Sequence, residues 1–285
     1  MATNTTWWKK GLVWTIALIA AVYVGIIIWY YVREDSFVYF PREGLRNADS
    51  INIGIETIRF HSVDGVELVG WIVPAHNDSS RIWFLYLHGN GGNISSRGYV
   101  DHYKAYQAMG VNTFVVDYRG YGMSRGRPSE QGLYNDAQAA FRYLTDDRYV
   151  PSHNIIIFGY SLGSAVAVDL ASKVDAGGLI LEGAFTSLPS VGQQRYRILP
   201  VDWIMSNRFD SFAKIMLVSE PKLFLHAVRD EVIPYEQGRA LFARAREPKQ
   251  FIETGGGHNT AHTEDSTTFY RGIAQFLEGL ERSMK

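Results

Sequence analysis

Asn154-Ile-Ile-Ile-Phe-Gly-Tyr-Ser161-Leu-Gly-Ser-Ala-Val-Ala-Val-Asp-Leu-Ala-Ser172 runs an apolar strand straight into an Ala-rich helix, with Gly159-Tyr-Ser161-Leu-Gly163 as the turn between them. This is the strand–turn–helix setting of a G-x-S-x-G elbow. A Cβ at either glycine would collide with the neighbouring strand or helix. The tight turn lifts the Ser161 hydroxyl out at the top of a sheet. The helix N-terminus behind it favours developing negative charge. Ser161 is therefore the candidate nucleophile.

The same pattern recurs as Gly122-Met-Ser124-Arg-Gly126, without that setting. It follows Asp117-Tyr-Arg-Gly-Tyr-Gly and runs into Arg127-Pro128, so no helix can start directly behind the serine. Ser124 is read as a loop residue.

A serine needs a base, and the base needs an acid to orient it. The C-terminal half offers both, in the order Ser, Asp, His. Pro221-Lys-Leu-Phe-Leu-His-Ala reads as a short buried strand leading into Val228-Arg-Asp230-Glu-Val-Ile-Pro234. Lys249-Gln-Phe-Ile-Glu-Thr reads as the next strand and ends in Gly255-Gly-Gly-His258-Asn, a loop able to swing an imidazole toward a site. His258 is the candidate base and Asp230 the candidate acid. Glu231 beside it, and Glu182 at the end of Gly178-Leu-Ile-Leu-Glu-Gly, stay open as alternative acids. His262 follows, but His-x-x-x-His without Glu at its second position is no zincin motif, and no metal site is expected.

An acyl-transfer site also needs donors for an oxyanion. Arg81-Ile-Trp-Phe-Leu-Tyr-Leu reads as a strand, and His88-Gly-Asn-Gly-Gly-Asn93 follows it like an HGGG-type loop. The backbone amides of Asn90 and Leu162 are the candidate donors, with Gly91 competing for the first. A phosphate loop is the other reading of such glycines. It fails because no Lys-Ser/Thr follows them and no G-x-G-x-x-G is present.

Taken together, His88-Gly-Asn-Gly-Gly-Asn, Asp117-Tyr-Arg-Gly-Tyr-Gly, Pro128-Ser-Glu, Gly159-Tyr-Ser-Leu-Gly, Asp230 and Gly257-His258 resemble the membrane-anchored α/β-hydrolases of the bud-emergence type. The resemblance extends from about Phe37 to the C-terminus. It implies an α/β-hydrolase fold, hydrolase activity and a triad on Ser161, Asp230 and His258. The chain departs from the pattern at His226-Ala, where the family usually has His-Gly, and at Ser164, where Gly is common. Depalmitoylase relatives carry a cysteine-rich N-terminus. This chain has no cysteine, so that activity is not implied.

With 285 residues and 46% hydrophobic content, the chain can bury one large core. A net charge of −1 gives no basic footprint for nucleic acid. No cofactor is expected. Gly11 to Val32 is a run of 22 residues without a charge, long enough to span a bilayer. Trp7 and Trp8 flank one end, and Trp29, Tyr30 and Tyr31 the other, as an aromatic belt. A cleaved signal peptide would be shorter, with small residues where these aromatics stand. Lys9 and Lys10 against Arg33, Arg42 and Arg46 leave orientation undecided by charge. The short basic tail and the resemblance favour the N-terminus inside and the enzyme outside the cytoplasm.

The expected organisation is a tail over 1–10, a transmembrane helix over 11–32, a linker over 33–56 and a hydrolase domain over 57–285. Phe37-Val-Tyr-Phe-Pro41 should pack the linker onto the domain. Thr57–Val63 and Val66–Pro74 read as a hairpin around Asp64-Gly65. Strands then alternate with helices, which implies a mostly parallel sheet with helices on both faces. Residues 185–215 form the one long insertion, read as a small cap. Asp117 and Arg119 are expected to hold their own loop.

The function these signals point to is a membrane-anchored serine hydrolase. It would cleave an ester or thioester of a small molecule or lipid through an acyl-enzyme. A peptidase would need acids in the cap to grip a peptide terminus, and the cap offers only Asp202 and Asp210. An acyltransferase is a further alternative. A non-catalytic tethered scaffold would have no use for a strained serine inside a full triad.

Overall fold

The structure, a computed structural model, describes residues 7–76 and 80–283. Residues 1–6 of the expected tail lie outside the described residues. The central sheet contains β1 (Glu56–His61), β2 (Glu67–Val73), β3 (Trp83–Leu87), β4 (Asn112–Asp117), β5 (Ile155–Tyr160), β6 (Gly178–Glu182), β7 (Lys222–Ala227) and β8 (Lys249–Thr254). Their spatial order is β8-β7-β6-β5-β3-β4-β2-β1. From β4 to β8 all neighbours pair in parallel, and β2 is antiparallel to both β1 and β4.

The helices are α1 (Trp7–Val32), α2 (Arg97–Ala108), α3 (Glu130–Arg142), α4 (Leu162–Ala171), α5 (Leu188–Arg195), α6 (Val201–Ile204), α7 (Tyr235–Arg244) and α8 (Ser266–Ser283), with a few shorter turns between them. Successive strand residues point to opposite faces, and both faces are covered. Leu85, Leu87, Ile155 and Ile157 pack with residues of α3, α4 and α7. Phe84, Tyr86, Ile156 and Phe158 pack with Tyr99, Tyr103 and Tyr106 of α2 and Phe269 and Ile273 of α8. A strand buried on both sides reads as a continuous apolar run, which is why Ile155–Tyr160 shows no polar alternation. Each fully buried aliphatic side chain there contributes about 1.5–3 kcal/mol.

The parallel register fixes where the loops emerge. Leu87 pairs with Gly159, and Tyr160 with Glu182, so β3, β5 and β6 end at one level. Loops leaving the carboxyl ends of β3, β5, β7 and β8 therefore gather on one edge of the sheet.

Two expectations need correcting. Asp117 and Arg119 hold neighbouring segments rather than their own loop. Asp117 Oδ1 accepts the Ile94 amide at 2.9 Å. Arg119 forks onto Asp136 of α3 at 2.7 Å and onto Asp64 of the β1–β2 turn at 2.8 Å. Removing one partner of the buried Arg119–Asp136 pair would cost about 3–5 kcal/mol. The first hairpin strand ends at His61 instead of Val63, because Ser62 already accepts the Gly65 amide and opens the turn.

Residues 33–56 do more than pack. Glu34 is 9% exposed and receives the Ser206 and Asn207 amides at 2.9 and 2.7 Å, together with both their side chains. Burial pushes the Glu34 carboxyl up, but these donors outweigh it and leave it below its ordinary value. Phe40–Pro41 pairs in parallel with Gly91–Gly92. Helix α1 has no buried residue and is long and apolar enough to cross a membrane. Among the described residues it runs from Trp7, so Trp7–Lys10 belong to the same helix as the uncharged run.

Candidate active site

Ser161 occupies the turn between β5 and α4 with φ 53° and ψ −121°, backbone that a non-glycine residue rarely adopts. Packing enforces it. A Cβ on Gly163 would lie 2.0 Å from the Leu87 carbonyl, and one on Gly159 2.5 Å from the Gly163 carbonyl. The start of α4 is thus pressed against the ends of β3 and β5, and the Ser161 amide donates to the Glu182 carbonyl at 2.9 Å.

The three candidate triad residues meet. His258 Nε2 lies 2.8 Å from Ser161 Oγ, and His258 Nδ1 lies 2.7 Å from Asp230 Oδ2. An Nδ1–H donated to the carboxylate leaves Nε2 free to accept the serine proton, the tautomer this arrangement requires. Asp230 Oδ1 accepts the Val232 and Ile233 amides at 2.9 and 2.7 Å. Burial raises the Asp230 carboxyl, but the His258 hydrogen bond and charge and the two amides outweigh it, holding it below the ordinary carboxylate value.

The alternative acids have other roles. Glu231 Oε2 accepts the His258 backbone amide at 3.0 Å, steadying the base from behind. Glu182 is 4% exposed, and neither of its carboxyl oxygens has a hydrogen-bond partner among the described residues. Burial, helped by the nearby Asp230 charge, drives its pKa far up.

The His258 loop is pinned rather than free to swing. Gly255 N–H donates to Asp265 at 2.8 Å and Gly257 N–H to Thr260 at 2.9 Å. Tyr160 Oη–H donates to Asn259 Oδ1 at 2.7 Å and to the His258 carbonyl at 3.2 Å, and its ring stacks on the imidazole at 5.4 Å. The sequence reading missed Tyr160, although it fills the variable position just before the serine.

Asn90 and Leu162 border one cavity with Ser161. Asn90 is fixed by its other atoms: its carbonyl accepts from Phe40 N–H at 2.9 Å and Tyr121 Oη–H at 2.8 Å, and its side chain donates to the Val38 carbonyl. Neither the Asn90 nor the Leu162 amide has an acceptor among the described residues. Beneath this loop His88 is fully buried, with its ring 4.5 Å from Tyr118 and Nε2 3.6 Å from Asp117. Burial lowers His88 to about 4 and raises Asp117 to about 8, so both stay uncharged at neutral pH.

The remaining candidates fall outside the chemistry. Ser124 donates to the Asp117 carbonyl and accepts the Val69 amide, tying a loop to β2. Asp202 ion-pairs with Arg208, and Asp210 caps the turn at Ser211–Lys214. His262 sits with His102 and Glu182, their potential ligand atoms within 4.8 Å of one another. The two rings lie 4.0 Å apart.

The arrangement is that of acyl transfer: a hydroxyl on a base, a base on an acid, and two amides beside the hydroxyl. Comparisons with known proteins agree at the level of the fold. Residues 84–248 match the profile of the Alpha/beta hydrolase family. An uncharacterized protein of Mycobacterium tuberculosis is 34% identical, the match covering 92% of this chain and 93% of that protein. Protein bem46 of Schizosaccharomyces pombe is 32% identical over 86% of this chain and 84% of its own length. Among solved structures, the Pyrococcus furiosus esterase Pf2001 superposes with a TM-score of 0.69 at 18% identity, covering 85% of this chain and 97% of that one.

Proposed function

The chain belongs to the α/β-hydrolase family, and from that premise we propose that it is a membrane-anchored serine hydrolase cleaving a carboxylic ester or thioester. Ser161 Oγ attacks the acyl carbon while His258 takes its proton. Asp230 holds the imidazole in the accepting tautomer and stabilises the imidazolium that forms. The Asn90 and Leu162 amides receive the oxyanion, a contribution of about 3–4 kcal/mol per donor to the transition state. His258 then passes the proton to the leaving oxygen or sulfur as the tetrahedral intermediate collapses. The acyl-serine remains, and water attacking it in the same geometry releases the acid and restores Ser161.

The observation that carries this reading is the unbroken hydrogen-bond line Asp230–His258–Ser161, at 2.7 and 2.8 Å, beside a serine held at φ 53°. Strain of that kind costs about 1–3 kcal/mol and persists where it serves a site. Retention of α1 as an anchor, rather than its removal as a signal, is supported by the contacts of Tyr23 and Tyr30 with the cap. The short basic tail, together with the family resemblance, supports a catalytic domain on the non-cytoplasmic side. A screen of p-nitrophenyl esters with the full chain and its Ser161→Ala variant tests the reaction class. Turnover confined to the unsubstituted protein is expected, and equal turnover in both would contradict it.

A further inference from the structure

Two cavities that differ in polarity meet at Ser161. One, of about 650 Å³, is the more polar, with Arg42, Ser96, His102, His258 and Asn259 among its walls. The other, of about 390 Å³, is apolar, with Leu188, Val191, Leu199, Val201 and Ile204 among its walls. They share Phe40, Asn90, Ser161 and Val232. His258 borders only the polar chamber and Leu162 only the apolar one. The group that His258 protonates must leave on its own side. A scissile ester at Ser161 therefore sends its alcohol into the polar chamber and its acyl chain into the apolar one.

The apolar chamber has an unusual wall. Tyr30, in the last turn of α1, lines it together with Phe37, their rings 5.0 Å apart. Tyr30 also meets Tyr196 of the cap at 5.8 Å. The cap continues alongside the helix, where Tyr23 Oη–H donates to the Ile198 carbonyl at 2.7 Å. At about 1.5 Å per residue, Tyr23 stands about 14 Å from the end of α1, within the apolar span. Ile198 is 84% and Trp203 90% exposed, side chains suited to a lipid interface rather than to water. With α1 taken as the membrane span proposed above, the cleft between it and the cap would lie at bilayer depth.

Resting on the serine-hydrolase reading, we propose that the substrate is a carboxylic-ester lipid of the bilayer in which α1 sits. Its acyl chain reaches Ser161 through the cleft between α1 and the cap, and its polar alcohol head occupies the chamber bordered by Arg42. The anchor is then part of the acyl site as well as a tether. Attack breaks the acyl–oxygen bond and forms acyl-Ser161. The head leaves as an alcohol carrying the proton from His258, and water releases the fatty acid.

The test uses the full chain in phosphatidylcholine vesicles. Val191→Trp fills the cleft and should lower the ratio of kcat/KM for p-nitrophenyl octanoate over acetate by about tenfold or more. As a second measurement on the unsubstituted protein, lysophosphatidylcholine with a diazirine at its acyl terminus should cross-link to peptides carrying Tyr30–Phe37 or residues 188–205. An unchanged ratio in a folded variant would overturn the inference, as would cross-links confined to the polar chamber. So would turnover of a palmitoylated peptide without turnover of lysophosphatidylcholine. If the unsubstituted protein neither reacts with a fluorophosphonate nor hydrolyses the acetate, the serine-hydrolase reading itself fails.

Discussion

Asp230 earns its position through both oxygens: one faces His258 at 2.7 Å and the other is held by two amides. Asp230→Asn keeps the shape but favours the wrong imidazole tautomer, so kcat should fall by about 10⁴. Glu182→Gln, at a carboxyl that makes no hydrogen bond among the described residues, should leave kcat within about threefold; the reverse ranking in steady-state kinetics would move the acid to β6. Asp117 gives a pH signature. Burial raises it to about 8 from an ordinary 3.8, so between about pH 4 and pH 8 the unfolded chain has lost a proton that the folded protein keeps. Stability from this group is therefore full below pH 4 and is lost as pH rises through 8. In Asp117→Asn that loss is absent. The Tm of the variant relative to the unsubstituted protein should climb from pH 5 to pH 8 and then level off; a constant difference across that range would contradict the assignment. The triad was legible in the sequence because its chemistry dictates residue type and loop position. The roles of Tyr160 and Glu231 were not, since their partners lie 98 and 27 residues away and only the closed sheet brings them together.

At the scale of elements, the membrane-proximal linker is the surprise. Val38 and Phe40 hold Asn90 from two sides, and Glu34 ties the foot of α1 to the cap. A chain beginning at Arg33 keeps these contacts and one beginning at Glu56 loses them all. The longer chain should label with a fluorophosphonate and the shorter should lose at least about tenfold in labelling rate, because the Asn90 amide is no longer positioned. Equal rates would mean that the linker is dispensable. Glu34→Ala should cost about 1–3 kcal/mol in urea unfolding, by orphaning the buried donors of Asn207. The eight strands were readable to within a residue or two because six of them are apolar runs bounded by turn residues. The linker's role was not, since Glu34 and Asn207 are ordinary polar residues until the fold sets them together.

For the molecule as a whole, α1 and the cap belong to one assembly, so the domain should remain with the membrane. The protein should resist carbonate extraction, and protease added from the non-cytoplasmic side of intact membranes should degrade the catalytic domain; full protection would place the site in the cytoplasm and change the substrates available to it. The sequence favoured an anchor over a signal through the length of the run and the aromatics at its ends. The place of Tyr30 in the cavity wall and the Tyr23 contact with Ile198 support the anchor. The most direct measurement is mass spectrometry of the full chain labelled with a fluorophosphonate in isolated membranes. The expected result is one adduct, on the peptide containing Ser161, in a chain that still carries Trp7, and none in Ser161→Ala. An adduct on Ser124, or continued labelling of the Ser161→Ala protein, would contradict the central claim.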